Sequence, residues 1–208
     1  MAPRLFSYVV RYDSGFAPNP FHGYCTLATC KPEIRQHAEV DDWLVGTGSN
    51  AAGVRRGGYL VYAMRVTEIL STEEYWLDPR FRNKKPDMHY NWGAASGDNI
   101  YQLIAPGRWR QLNSYHSHDN GSPREDHIKR DTRVQRILVS EDFIYFGGEG
   151  PPVPDRFCIK GEEMVVHEYR HYRKITQESA IAAFVGWLRS LDVAGFQGKP
   201  WDWVKRRA

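Results

Sequence analysis

The stretch from Gly58 to Ile69, GYLVYAMRVTEI, constrains the fold more than any other part of this chain. In an extended segment Leu60, Tyr62, Met64 and Val66 fall on one face, while Val61, Ala63 and Arg65 occupy the other. Both faces are largely apolar, so the strand belongs in the middle of a sheet with cover on each side. Leu5 to Arg11 (LFSYVVR) reads as a second strand, rich in aromatic and β-branched residues and stopped by Asp13-Ser14-Gly15. Shorter strands are expected at Cys25 to Ala28, Trp43 to Val45, Ile137 to Val139 and Phe143 to Phe146. Asn99 to Ile104 and Trp109 to His116 read as a hairpin turning through Pro106-Gly107.

Helices are fewer. Pro32 suits the first turn of a short helix reaching His37. Ser71-Thr72-Glu73-Glu74 offers a capping hydroxyl and two carboxylates for a helix that Asp78-Pro79 must end. Near the C-terminus Ile181, Phe184, Val185, Leu188 and Leu191 recur at helical spacing, with Thr176 as the expected cap and Glu178 in the first turn. Arg80 to Gly97 reads as a long loop, and Asn120 to Thr132 as a polar connection. This pattern predicts an α+β fold, and the 208 residues are most simply one domain.

Composition limits the classes of function. Hydrophobic residues make up 41% of the chain and charged residues 25%, enough for a packed core. The longest apolar runs fall well short of the roughly 18–20 residues that a membrane span requires. The three cysteines, Cys25, Cys30 and Cys158, are an odd number in a chain large enough to build its own core, so reduced thiols and a cytoplasmic setting are expected. A net charge of +3 accompanies phosphate contact without identifying it. Basic residues do cluster, at Arg80, Arg82, Lys84 and Lys85, at Lys129, Arg130 and Arg133, and at Lys205, Arg206 and Arg207, and solvated surface accounts for such clusters equally well.

Three constellations carry chemistry. Asp13, Asn19, His22, Cys25, Cys30 and Lys31 sit on a loop stiffened by Pro18 and Pro20, where ligand contact costs little ordering entropy. There Cys30 is a candidate nucleophile if Lys31 or a nearby histidine lowers its pKa, while small buried thiols are the plainer reading. The second is Ser114-Tyr115-His116-Ser117-His118-Asp119. If the strand continues, His116 and His118 face one way, with His116 a candidate general acid or base. A metal site there lacks a third placed ligand, so no metal is assigned. The third is Gly97-Asp98-Asn99-Ile100-Tyr101, where Asp98 and Asn99 are candidates for a base edge and Tyr101 for stacking, or for a turn bonded to its own backbone. Gly46-Thr47-Gly48-Ser49 lacks the lysine and spacing of a phosphate-binding P-loop.

Four segments add a family resemblance. They are DSGFAPNP from Asp13, CTLATCKP from Cys25, WLVGTGS from Trp43 and SEDFIYFG from Ser140. Together these resemble the second nucleotide-modification-associated domain family over roughly the first 150 residues. The resemblance implies a role in nucleotide or DNA base modification, with a nucleotide or nucleic acid as partner, and names neither a reaction nor a cofactor. Trp43 to Ile69 also resembles the strand pattern of PUA-like barrels, which implies a mixed β-barrel with a C-terminal helix and a base pocket walled by Trp43, Tyr62, Trp92 and Tyr101. Two functions follow: an enzyme using Cys30 or His116 on a nucleotide or base, or a non-catalytic reader of modified DNA or RNA. A small-molecule or protein interaction domain with no nucleic-acid role is the third.

Overall fold

Alternating burial along Leu60–Arg65 is complete on both faces: Leu60, Val61, Tyr62, Ala63 and Met64 are all fully buried, as the period-two pattern requires. The computed structural model describes residues 2–51, 53–158, 164–166 and 171–205, so Arg206 and Arg207 of the basic C-terminal cluster lie outside the described residues.

In chain order, β1 (Leu5–Val10) and β2 (Cys25–Leu27) precede helix α1 (Pro32–His37). Then come β3 (Trp43–Gly48), β4 (Leu60–Arg65) and β5 (Glu68–Leu70). Helix α2 (Thr72–Leu77) starts at a capping box, in which the Ser71 hydroxyl accepts from Glu74 N–H while the Glu74 carboxylate accepts from Ser71 N–H, and it stops at Asp78 before Pro79. Between Arg80 and Gly97, where a loop was expected, lie a 3-10 segment (Pro79–Lys84) and α3 (Trp92–Ala95), capped by Asn91. The hairpin of β6 (Tyr101–Ala105) and β7 (Arg108–Gln111) follows. Helix α4 (Glu125–Thr132) comes next, then β8 (Ile137–Ser140) and β9 (Asp142–Tyr145). The chain closes with β10 (Tyr172–Ile175), α5 (Glu178–Ser190), β11 (Gly195–Phe196) and α6 (Asp202–Lys205).

These elements divide between two compact units. Unit 1 comprises Met1–Asp13, Ala38–Thr67 and Glu141–Ala208; unit 2 comprises Ser14–His37 and Glu68–Ser140. Unit 1 holds a six-stranded sheet in the order β10-β1-β3-β4-β9-β11. There β1 runs parallel to β3, and β4 runs antiparallel to both its neighbours, β3 and β9. Phe184 and Leu188 of α5 pack with Leu5, Val45, Ala63 and Phe157, each large side chain contributing roughly 2 kcal/mol through burial. Helix α5 begins after Gln177 without a side-chain cap, so Thr176 does not take that role.

Unit 2 contains the three-stranded sheet β2-β8-β5 and the β6-β7 hairpin. One cluster joins Ala28, Tyr75, Phe81, Ile137 and Val139; another joins Phe16, Ile100, Tyr101 and Ile128. The fold is α+β. The barrel expectation differs from what is seen: among the described residues the larger sheet is open, with β10 and β11 at its edges, and no sheet closes on itself. No helix of the described residues is long and apolar enough to cross a membrane.

Candidate functional site

Within unit 2 the turn after β2, the turn after β7 and helix α4 bring a thiol, an imidazole and a carboxylate into one line. Cys30 Sγ lies 3.5 Å from His116 Nε2, and His116 Nδ1 lies 2.8 Å from Asp131 Oδ2. Because the carboxylate holds Nδ1, the other ring nitrogen faces the sulfur. Asp131 is itself fixed from several directions, with its side chain 0% exposed. Tyr101 donates its hydroxyl to Oδ2 at 3.0 Å, Arg130 donates Nε to Oδ1 at 2.9 Å, and the main-chain N–H of Cys30 donates to Oδ1 at 3.1 Å.

Local backbone serves the same end. Cys30 and Lys31 are both left-handed, with φ of 58° and 41°. For residues with a Cβ this costs about 1–3 kcal/mol each and persists only where neighbours over-determine it. Arg35 supplies that restraint. Its guanidinium is fully buried and donates to the carbonyls of Cys30 (2.9 Å), Asp131 (2.7 Å) and Val134 (2.8 Å), which ties the thiol-bearing turn to the end of α4.

The electrostatics favour a charged pair. Burial opposes ionisation of Cys30, but the hydrogen bond and charge of His116, aided by Arg130, outweigh it and hold the thiol below its ordinary value. Burial equally opposes the imidazolium, yet Asp131 and Cys30 overcome that and raise His116 to about 9. Asp131, which burial alone would push up, is held well below the usual carboxylate range by His116 and Arg130. Both shifts favour the thiolate–imidazolium form of the pair.

A second imidazole borders the first. His127, one helical turn before Asp131 on α4, packs edge-on against His116 with ring centroids 4.5 Å apart. Burial and the charges of His116 and Arg130 push it down to about 4, so it stays neutral.

Cys30, His116 and Asp131 also form a group with metal-ligating atoms, all within 4.8 Å of one another. Asp131, however, sits on the ring nitrogen opposite the sulfur, and Arg130 adds a cation beside it. A metal bound by Sγ and Nε2 would gain two ligands here, short of the three or four that zinc sites use. The donor set fits a nucleophile, a base and its orienting carboxylate better.

The remaining expected residues fall elsewhere. Asn19, Asp98 and Asn99 are buried in a network centred on the fully buried Lys84. Lys84 Nζ donates to Asn19 Oδ1 at 2.6 Å and to Thr26 Oγ1 at 3.1 Å; Thr26 and Tyr75 donate to the two Asp98 oxygens, each at 2.7 Å. Burial lowers Lys84 to about 8 and raises Asp98. Gly97 makes this approach possible, since a Cβ there would meet the Lys84 carbonyl oxygen at 2.4 Å. Asn99 donates to the carbonyl of Tyr75 at 2.9 Å. Asp13 belongs to unit 1, where its carboxylate accepts from the Tyr145 hydroxyl. Lys31 is partly buried, and burial lowers its pKa against the opposing charges of Cys30 and Glu33.

Two strand-based expectations change. Strand β7 ends at Gln111, so His116 sits in a turn rather than on a strand face, while His118 is exposed and does not join it. Of the four expected pocket walls, Trp43 and Tyr62 lie in unit 1 and Trp92 and Tyr101 in unit 2. Asp131 was missed because Asn120 to Thr132 has little apolar content. The signals were nonetheless there: Pro123 ahead of Glu125 and Asp126, and Lys129 and Arg130 in the last turn.

A thiol, an imidazole and a buried carboxylate thus stand in hydrogen-bonded series. The chain belongs to the nucleotide modification associated domain 2 family, which its sequence matches over residues 2–207. The match thus extends past the first 150 residues that carried the resemblance. No curated protein and no solved structure matches the chain.

Proposed function

We propose that this protein modifies a nucleotide or nucleobase, in the service of DNA base modification, through a covalent intermediate at Cys30. The observation that carries the reading is the contact of Cys30 Sγ with His116 Nε2, braced by the buried Asp131. The thiolate electron pair forms an S–C bond at an electrophilic sp² carbon of the base or of a substituent on it. The π pair of that carbon moves onto its heteroatom or neighbouring carbon, and His116 delivers its Nε2 proton there. When the adduct collapses, neutral His116 takes a proton from the incoming nucleophile, water or an amine, which bonds to the same carbon as the S–C bond breaks to return the thiolate, so the net change is addition of that nucleophile and a proton across the original π bond. The cytoplasm is part of the proposal, since all three cysteines are free thiols. No cofactor is assigned.

The test is turnover of a panel of deoxynucleoside monophosphates and of single-stranded DNA, followed by mass spectrometry of products, in wild type, Cys30→Ser and His116→Gln. Each variant is expected to lose turnover by about a hundredfold or more while retaining affinity. Unchanged turnover in Cys30→Ser overturns the covalent step. Binding with no turnover even in wild type replaces it with a non-catalytic reader working by stacking and hydrogen bonds.

A further inference from the structure

Unit 2 contains a cavity of about 420 Å³, within the size range of small-molecule sites, built from the Phe21–His22 turn and the segment from Arg82 to Ala94. Its lining differs in kind from an ordinary surface fold. Arg82 and Lys85 both face it, and neither forms an ion pair among the described residues, although Arg80, Arg124, Arg130 and Arg133 of this unit do. Lys85 is held in place by Trp76, its ammonium 3.8 Å from the ring centroid. The two cations repel, the charge of Arg82 adding to burial in lowering Lys85. Two neighbouring cations that are not ion-paired to a carboxylate are stabilised by an anion placed between them.

The rest of the lining is selective. Tyr90 stands at the cavity with 79% of its surface exposed, a large ring with little cover in the protein. The Asp87 carboxylate lies on the wall, where among the described residues its Oδ1 accepts the His89 N–H at 2.9 Å, and it keeps acceptor capacity for hydroxyl or amino groups. His22 completes the titratable groups there, and burial with the charge of Lys84 keeps it neutral.

We propose that this cavity is a binding site for a nucleoside 5′-phosphate unit, with the phosphate on Arg82 and Lys85, the sugar hydroxyls or a base amino group on Asp87, and the base stacked on Tyr90. An inorganic anion would use the two cations alone, and an apolar ligand would find them unsatisfied. The unit can come from a free nucleotide or from a single-stranded nucleic acid; the chemistry of recognition is the same. The site is argued from its own lining and does not depend on chemistry at Cys30.

Isothermal titration of the full chain with adenosine, guanosine, cytidine and thymidine 5′-monophosphates, with the matching nucleosides, with inorganic phosphate and with oligothymidylate tests it. At least one monophosphate or the oligonucleotide is expected to bind, with its nucleoside and phosphate alone each weaker by about tenfold or more. Arg82→Ala/Lys85→Ala is expected to abolish the advantage of the phosphate. Tyr90→Ala should weaken the nucleotide by about tenfold and leave inorganic phosphate unchanged. Arg82 and Tyr90 are exposed and Lys85 is half-buried, and an unchanged thermal midpoint checks that folding is intact. Preference for the oligonucleotide over every monophosphate assigns the strand as the source. Absence of binding by all of these probes, or affinity indifferent to all three substitutions, overturns the proposal. Cys30→Ser is expected to bind as wild type does, which separates this site from the proposed covalent step.

Discussion

The guanidinium of Arg35 donates to the main-chain carbonyl of Cys30 at 2.9 Å, five residues back along the chain, while sealed completely from solvent. A buried cation satisfied by backbone carbonyls rather than by a carboxylate is a positioning device, and its geometry is that of a planar fork which a lysine cannot reproduce. Arg35→Lys is therefore expected to lose stability by about 3 kcal/mol, because carbonyls that were paired become unpaired in a dry site. Chemical denaturation measures the loss, and a change below about 1 kcal/mol would show that the clamp is dispensable.

Reactivity of the thiol reports on the triad without any substrate. Alkylation of Cys30 by iodoacetamide, followed against pH, is expected to show a midpoint below the ordinary thiol value of 9.0. In His116→Gln, burial is left without its main opposition, and the midpoint should rise above the ordinary value. Asp131→Asn is expected to weaken the imidazolium and shift the midpoint upward as well. An unmoved midpoint in both variants refutes the pairing. Cys25, which burial raises to about 12, serves as the unreactive internal control.

The raised pKa of His116 has a definite sign in stability. The imidazole is charged more readily in the folded chain than in the unfolded one, so its contribution is fully present below pH 6.5 and is lost as pH rises toward about 9. The thiol works in the opposite direction over part of that window, and Cys30→Ser removes it. In that background, where Asp131 alone raises the ring, stability should fall from pH 6.5 upward, and the addition of His116→Gln should flatten the fall. Equal pH dependence with and without His116 would refute the assignment.

The network around Lys84 predicts a non-additive pair. Lys84→Met strands Asn19 Oδ1 and leaves the buried Asp98 carboxylate without its cation, at a cost of about 3–5 kcal/mol. Asp98→Asn in the same chain removes the stranded charge and should recover part of the loss. A double-mutant cycle with no coupling would mean that the two groups act independently.

Legibility in the sequence followed hydrophobic pattern. Strand β4 and the C-terminal stripe of Phe184 and Leu188 stood out because burial dictates their spacing, and helix α1 because Pro32 suits a first turn. The capping box at Ser71 was equally readable, since its hydroxyl and carboxylate act within three residues. Helix α4 was not, because only Ile128 and the polar Asp131 and Thr132 are buried along it, and its stability comes from partners distant in sequence. Cys30 and His116 were named as separate candidates on separate loops. Their approach depends on Asp131 and Arg35, which bridge separations of 101 and 96 residues that no local pattern encodes. Asn19, Asp98 and Asn99 show the converse: polar residues in turns suggested ligand contact, while Lys84 collects them into the interior.

The interleaving of the two units bears on how the chain is made. Since the polypeptide crosses between them four times, shortening it from either end removes part of unit 1 first, and no single cut releases unit 2 whole. During synthesis, all residues of unit 2 have emerged from the ribosome by Ser140, whereas unit 1 still awaits β9, β10, β11 and α5. The portion carrying Cys30, His116 and Asp131 is thus complete on the nascent chain while the six-stranded sheet of unit 1 has only three of its strands.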